Sequence, residues 1–340
     1  MIQANPKHTI APMIGVAIAA LLLWVWDSDG KPEYRTHQGP VFGTYYNIRY
    51  EAKQDLETEI QAALQDFDNS LSLFNPHSIL SAVNANRDTV TNAAFETMFA
   101  EATRVHELSH GAFDITVAPL VNYWGFGPNE RNLQSSISNL QSPIDSLCEF
   151  VGFEKVQLIN HHIVKADPRV QLDGGAVAKG QACDMIAAVL RDHGCRNYLV
   201  EIGGELVLHG VNAQGQPWSI GISKPTLSND GVETDYQEIL HLTDACIATS
   251  GNYRNFNEAG GHTIDPRKGY PVQQTVYSAT ILSSTCMRAD ALATACMVLG
   301  EEEALDMIDR AGDAACLLIV RENDSLRVVT SPKWEEMTTK

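Results

Sequence analysis

The stretch from residue 172 to residue 209 constrains the fold more than any other part of the chain. It opens on LDGGAVAKG (172–180) and continues through Ala182, Met185, Ile186, Val189 and Leu190, whose spacing marks one apolar helix face ending before Gly194. NYLVEI and ELVLHG follow, separated by Gly203-Gly204, and read as a β-hairpin. No GxGxxG follows a first strand and no strand–helix repeat recurs, which argues against a doubly wound nucleotide fold. Elsewhere, 41–50 (VFGTYYNIRY) alternates like a strand and 54–69 reads as helical. In 95–109, Phe95, Met98, Phe99, Ala102, Val105 and Leu108 fall at helical spacing, and 129–147, rich in Ser, Asn and Gln, reads as a surface excursion. The expected class is α+β, with antiparallel strands and packed helices.

At 340 residues and 44% hydrophobic content the chain can bury a large core, as one two-lobed domain or two smaller ones. Its formal charge of −18, without a cluster of Lys and Arg, argues against nucleic-acid binding. A nucleotide cofactor is compatible with that charge, because a divalent cation and a few backbone amides cancel its phosphates locally. Residues 9–26 are uncharged, follow Lys7 and end at Trp24 and Trp26 before Asp27 and Asp29, the order of a membrane segment with a cytoplasmic N-terminus. An uncleaved anchor is preferred over a signal peptide cut after Ala17-Ile18-Ala19, whose apolar core would be short. The expected division is a membrane anchor or signal segment over 1–27, a linker over 28–37 and a catalytic domain over 38–340. Seven cysteines without a CxxC pair give neither a zinc signature nor a complete disulfide set, and their apolar flanks suggest buried thiols.

Several residues have the chemistry for a site, each with a plainer alternative. Asp290 and Thr294 lie four apart in ADALATACMVLG, which puts a carboxylate and a hydroxyl, both hard ligands suited to Mg²⁺, on one helix face. An Asp near a helix start is also an ordinary cap, and a helical Thr commonly bonds the preceding turn. Gly174-Gly175 after Asp173 lets the backbone expose amides and carbonyls to a phosphate or metal, or merely connects a strand to a helix. FDITVAPLVNYWGFGP (113–128) is apolar and glycine-punctuated, as cores and cofactor walls both are. In HTIDPRKGYP (262–271), His262 is a candidate for proton transfer, while Asp265 before Pro266 caps a turn. Tyr253 and Arg254 in ATSGNYRNF (248–256) are candidates for holding a phosphate, and Arg254 equally for a surface ion pair.

LDGGAVAKG, ATSGNYRNF, HTIDPRKGYP and ADALATA (289–295) occur here in one order, and on them the chain resembles the ApbE family of FAD:protein FMN transferases over roughly residues 38–332. The resemblance implies a T-fold-like α+β domain and a Mg²⁺-dependent enzyme that cleaves FAD, attaches FMN to a Thr or Ser of an acceptor flavoprotein and releases AMP. It implies Ala176 (through its carbonyl), Asp290 and Thr294 as metal ligands. Phe42, Phe74, Ala112, Phe113, Asp114, Asp173, Lys179 and Ile264 are implied as FAD contacts, and His262 and Asp290 as catalytic. Some members carry a further acidic residue where this chain has Ala293, and many have Met at the position of Phe42. The acceptors implied are subunits of sodium-translocating NADH:quinone reductase-type complexes, and the location implied is the inner membrane with a periplasmic catalytic domain. An FAD pyrophosphatase yielding FMN and AMP and a non-catalytic flavin-binding protein are the alternatives.

Overall fold

The structure, a computed structural model, describes residues 33–128, 141–225, 235–252, 256–257, 260–273, 275–323 and 325–339. One eight-stranded sheet organises them. Its strands are β1 (Glu33–Val41), β2 (Thr44–Ala52), β3 (Tyr198–Ile202), β4 (Glu205–His209), β5 (Ala245–Gly251), β6 (Val276–Ser283), β7 (Ala315–Glu322) and β8 (Ser325–Thr330). They lie side by side in that order and every neighbouring pair is antiparallel. The helices are α1 (Glu57–Leu71), α2 (Ile79–Asn84), α3 (Ala93–Leu108), α4 (Ala118–Tyr123), α5 (Gln141–Cys148), α6 (Ala178–Asp192), α7 (Cys286–Leu299), α8 (Glu301–Ala311) and α9 (Trp334–Thr338).

Side chains alternate between the two faces of a strand, and both faces of this sheet are covered. Val200 and Ile202 of β3, Val207 of β4 and Leu318 and Val320 of β7 join the main core with α1, α3, α6 and α7. The intervening Leu199, Leu206, Leu208, Leu317 and Ile319 enter a second core, closed by the hairpin Trp218–Ser223/Tyr236–Leu242 and by Trp334 of α9. Helix α7 is buried almost all round, as a helix without a polar face must be, whereas α8 buries only Ala304, Met307 and Ile308 along one stripe. A third small core joins Leu120, Trp124, Ile144, Val151 and Ile264, and the Trp124 indole N–H donates to the Gly269 carbonyl at 2.9 Å.

The helices expected over 54–69, 95–109 and 178–193 and the hairpin at Gly203-Gly204 are present within a few residues. Three expectations are corrected. VFGTYYNIRY is not one strand: Val41 pairs with Thr44 across a turn at Phe42 (φ 49°) and Gly43 (φ 74°). A phenylalanine in the left-handed region is not a usual hairpin signal, so the alternation runs unbroken through it. Strand β1 also begins at Glu33, inside the stretch read as a linker. Most of α5 falls within the excursion read over 129–147, and its Ile144 is buried in the third core with Leu147 packed against the same core. Residues 129–140 lie outside the described residues, as do the apolar segment 9–26, Tyr253 and Arg254. Among the described residues no helix is long and apolar enough to cross a membrane.

Candidate active site

A cavity of about 710 Å³ opens between the β1–β2 turn, the loop before α6, the ends of β4 and β5, and the side of α7 that carries Asp290 and Thr294. Of the residues singled out from the sequence, Phe42, Phe74, Ala112, Phe113, Asp114, Asp173, Ala176, Lys179, His262, Ile264, Asp290 and Thr294 line it, whereas Tyr253 and Arg254 lie outside the described residues. These come from segments as far apart as Phe42 and Thr294, so the sheet order brings them together rather than local sequence.

The polar part of the cavity is built on two helices in close contact. Gly180 in α6 has no side chain; a Cβ there would lie 2.3 Å from the Cys286 carbonyl oxygen of α7. That approach lets the Gly180 N–H donate to Asp290 Oδ2 at 3.0 Å. Asp290 is only 2% exposed, so it is an interior carboxylate rather than a solvent-facing helix cap; Thr285 fills the cap position instead, accepting from Arg288 N–H. Lys179 Nζ lies 3.6 Å from Asp290 Oδ2 and 3.2 Å from Glu205 Oε1, and donates to the Gly175 carbonyl at 3.3 Å. Burial alone would lower the Lys179 pKa, but the Asp290 and Glu205 charges outweigh it and hold the ammonium above its ordinary range. Burial pushes the Glu205 carboxyl up, and Lys179 only partly offsets the rise. One turn after Asp290, the Thr294 hydroxyl lies 3.3 Å from that of Ser250 on β5.

The Asp173 carboxylate closes the glycine turn by accepting from Gly175 N–H at 2.7 Å, and burial raises its pKa against that bond and Lys179. Asp114 is committed to structure: Oδ1 accepts from the Thr116 N–H and hydroxyl, and Oδ2 from Phe153 N–H. Burial raises its pKa in spite of them. Phe113 lies almost wholly in the core and Phe42 packs on Phe67 with centroids 5.3 Å apart, whereas Phe74 is 69% exposed at the cavity. His262 is half-buried, with its ring 6.3 Å from that of Phe126. Asp265 accepts from the Arg267 N–H and guanidinium, capping the turn as its position before Pro266 suggests. All seven cysteines are free thiols; burial pushes Cys246 up to about 12 and Cys316 to about 11, which keeps them protonated.

Sequence reasoning missed Glu205, Ser250 and Phe126, all on the cavity. Glu205 carried a usable signal: a charged residue directly after Gly203-Gly204 opens a strand whose next residues, Leu206, Val207 and Leu208, are all apolar and buried.

The sequence pattern of the ApbE family matches residues 42–318. The chain belongs to the ApbE family. A member from Vibrio cholerae, an FAD:protein FMN transferase, is 36% identical over 339 residues, covering 96% of this chain and 98% of its own. One of the same description from Haemophilus influenzae is 33% identical, covering 98% and 99%. Among solved structures, the flavin transferase ApbE from Vibrio cholerae superposes with a TM-score of 0.81 at 34% identity, over 90% of this chain and 99% of that one. The apo flavinyl transferase ApbE of Pseudomonas stutzeri superposes with a TM-score of 0.79 at 30% identity, over 91% and 98%. The ApbE fold is thus the mixed α+β arrangement of antiparallel sheet and packed helices described above.

Proposed function

We propose that the chain is a Mg²⁺-dependent FAD:protein FMN transferase that uses this cavity, at the paired helices α6 and α7, for both halves of FAD. The observation that carries this is the composition of that one cavity. It combines aromatic and apolar walls (Phe42, Phe74, Phe126, Ile264) with a half-buried ammonium, carboxylates and hydroxyls (Lys179, Asp290, Glu205, Thr294, Ser250). A flavin needs the first set and a pyrophosphate with its cation needs the second.

The donor set fits Mg²⁺. Among the described residues no group of three or more His, Cys, Asp and Glu side chains could hold a metal. Mg²⁺ does not require such a group, since it takes one or two carboxylates and completes its shell with phosphate oxygens and water. Asp290, Thr294 and the Ala176 carbonyl would hold it, all on the cavity. Gly203 keeps the adjoining space open; a Cβ there would come within 3.3 Å of Glu205 Oε2 and Lys179 Cδ. When bound, the cation neutralises charge on the pyrophosphate and its leaving group. Lys179 would bind the phosphates through its ammonium. His262 takes the proton of the acceptor hydroxyl as that oxygen attacks the FMN phosphorus, the phosphoanhydride bond breaks and AMP departs. Phe42, Phe74 and Ile264 keep the isoalloxazine ring in place. The acceptors in this reading are Thr or Ser residues of flavoprotein subunits such as those of sodium-translocating NADH:quinone reductase-type complexes. Residues 9–26 tether the domain to the inner membrane with the cavity on the periplasmic side.

The test compares wild type with Asp290→Asn, whose amide oxygen can still accept from Gly180 N–H. AMP release should be lost while the fold and FAD binding persist. Full AMP release by the variant would remove Asp290 from the reaction.

A further inference from the structure

We propose that Glu205 is a positioning residue whose carboxylate holds the Lys179 ammonium off Asp290, leaving Asp290 available to the divalent cation. The inference rests on the metal reading above.

Three observations carry it. Glu205 is 3% exposed, and its Oε2 has no hydrogen-bond partner among the described residues although it is buried. A carboxylate oxygen left in that condition weakens the fold, so a structural role alone does not account for it. Second, the ammonium is shared unequally: Lys179 Nζ lies 3.2 Å from Glu205 Oε1 and 3.6 Å from Asp290 Oδ2. Third, the three groups sit on three different rigid elements. Glu205 starts β4 after Gly203 (φ 65°) and Gly204 (φ 101°), Lys179 is in the first turn of α6, and Asp290 is inside α7. Only the length of the Lys179 side chain lets the charge choose between the carboxylates. With both ionised, two anions face one cation, and the surplus negative charge is what a divalent ion requires. With the Glu205 charge removed by substitution, Lys179 keeps Asp290 as its sole carboxylate within ion-pair distance among the described residues, and the pair closes on the oxygen that already accepts from Gly180 N–H.

The experiment measures binding of Mn²⁺ alone, by electron paramagnetic resonance, to the folded chain without FAD. Wild type should bind Mn²⁺ and Asp290→Ala should not. Glu205→Gln should weaken binding roughly 10–100-fold, the range found when a group supporting a metal ligand is removed. Adding Lys179→Met to Glu205→Gln should recover most of that loss, because the competitor for Asp290 is gone. Lys179→Met alone should bind Mn²⁺ at least as tightly as wild type, and it reports even if Glu205→Gln fails to fold. Unchanged affinity in Glu205→Gln, or a loss that Lys179→Met does not repair, overturns the role of Glu205. So does weaker binding in Lys179→Met. If Asp290→Ala binds Mn²⁺ as wild type does, the metal reading itself fails, and this is a different result from a silent Glu205→Gln beside a dead Asp290→Ala.

Discussion

Gly180→Ala tests the contact on which the cavity's polar end depends. The new methyl carbon would sit 2.3 Å from the Cys286 carbonyl oxygen, 2.6 Å from its carbonyl carbon and 2.8 Å from Met287 Cα. All three are backbone atoms in the first turn of α7, so no side-chain rotation relieves the clash and α6 must move by about 1 Å to restore ordinary contact. Overpacking of this kind costs about 1–3 kcal/mol. The Gly180 N–H to Asp290 Oδ2 bond of 3.0 Å is stretched by the same movement, and a buried group left unpaired costs about 1–3 kcal/mol. Alanine is favoured over glycine in a helix by up to about 1 kcal/mol. The net expectation is a loss of about 3 kcal/mol, read as a lower urea midpoint at unchanged m. Transfer should fall further than stability does, because Lys179 and Asp290 ride on the two displaced helices and about 1 Å of misplacement can cost ~10²-fold. An alanine variant as stable as wild type would refute the close approach of α6 and α7.

Other outcomes follow from single contacts. Phe42→Asn suits the left-handed turn at φ 49° but gives up the ring's packing on Phe67, and it should weaken FAD binding measured by flavin fluorescence quenching; unchanged affinity would remove Phe42 from the flavin wall. Trp124→Phe loses a buried bond to the Gly269 carbonyl and should cost about 1–3 kcal/mol in chemical denaturation. His262→Ala should lower single-turnover transfer by roughly 10²–10⁴-fold at saturating FAD, and preserved transfer would leave it only the turn before Asp265 to order. Asp184 accepts from the N–H groups of Cys286 and Met287, yet burial raises its carboxyl from 3.8 to about 6. A raised folded pKa means that its contribution to stability is complete below pH 3.8 and is lost as pH rises through about 6. Stability of wild type relative to Asp184→Asn should therefore fall between pH 4 and 7, by about 3 kcal/mol at most; a flat difference would contradict the shift.

The fold was legible where periodicity is strong. The helix face of Ala182, Ile186 and Leu190 and the hairpin across Gly203-Gly204 both stand as read, because burial on one side forces those patterns. The turn at Phe42-Gly43 was not legible, since its conformation depends on where the Phe42 ring packs rather than on turn propensity. In the site, the residues that the family resemblance implied share one cavity, whereas the Asp290–Thr294 interval and the Gly174-Gly175 turn taken alone were equally compatible with a helix cap and a plain connection. Glu205 went unnamed because its partner Lys179 lies 26 positions earlier on another element, so its one signal was its place between Gly203-Gly204 and an apolar run. The burial of Asp290 was equally hidden, since it follows from Gly180 letting α6 approach α7.

The central claim is group transfer to protein at this cavity. Its most direct measurement is the intact mass of a Thr-bearing acceptor flavoprotein subunit after incubation with this chain, FAD and Mg²⁺, with AMP quantified in the same sample. The account predicts an acceptor heavier by one FMN phosphoryl group for each AMP released, and neither product with Asp290→Asn. AMP and free FMN accumulating in equal amounts beside an acceptor of unchanged mass would contradict it and make the cavity that of an FAD pyrophosphatase.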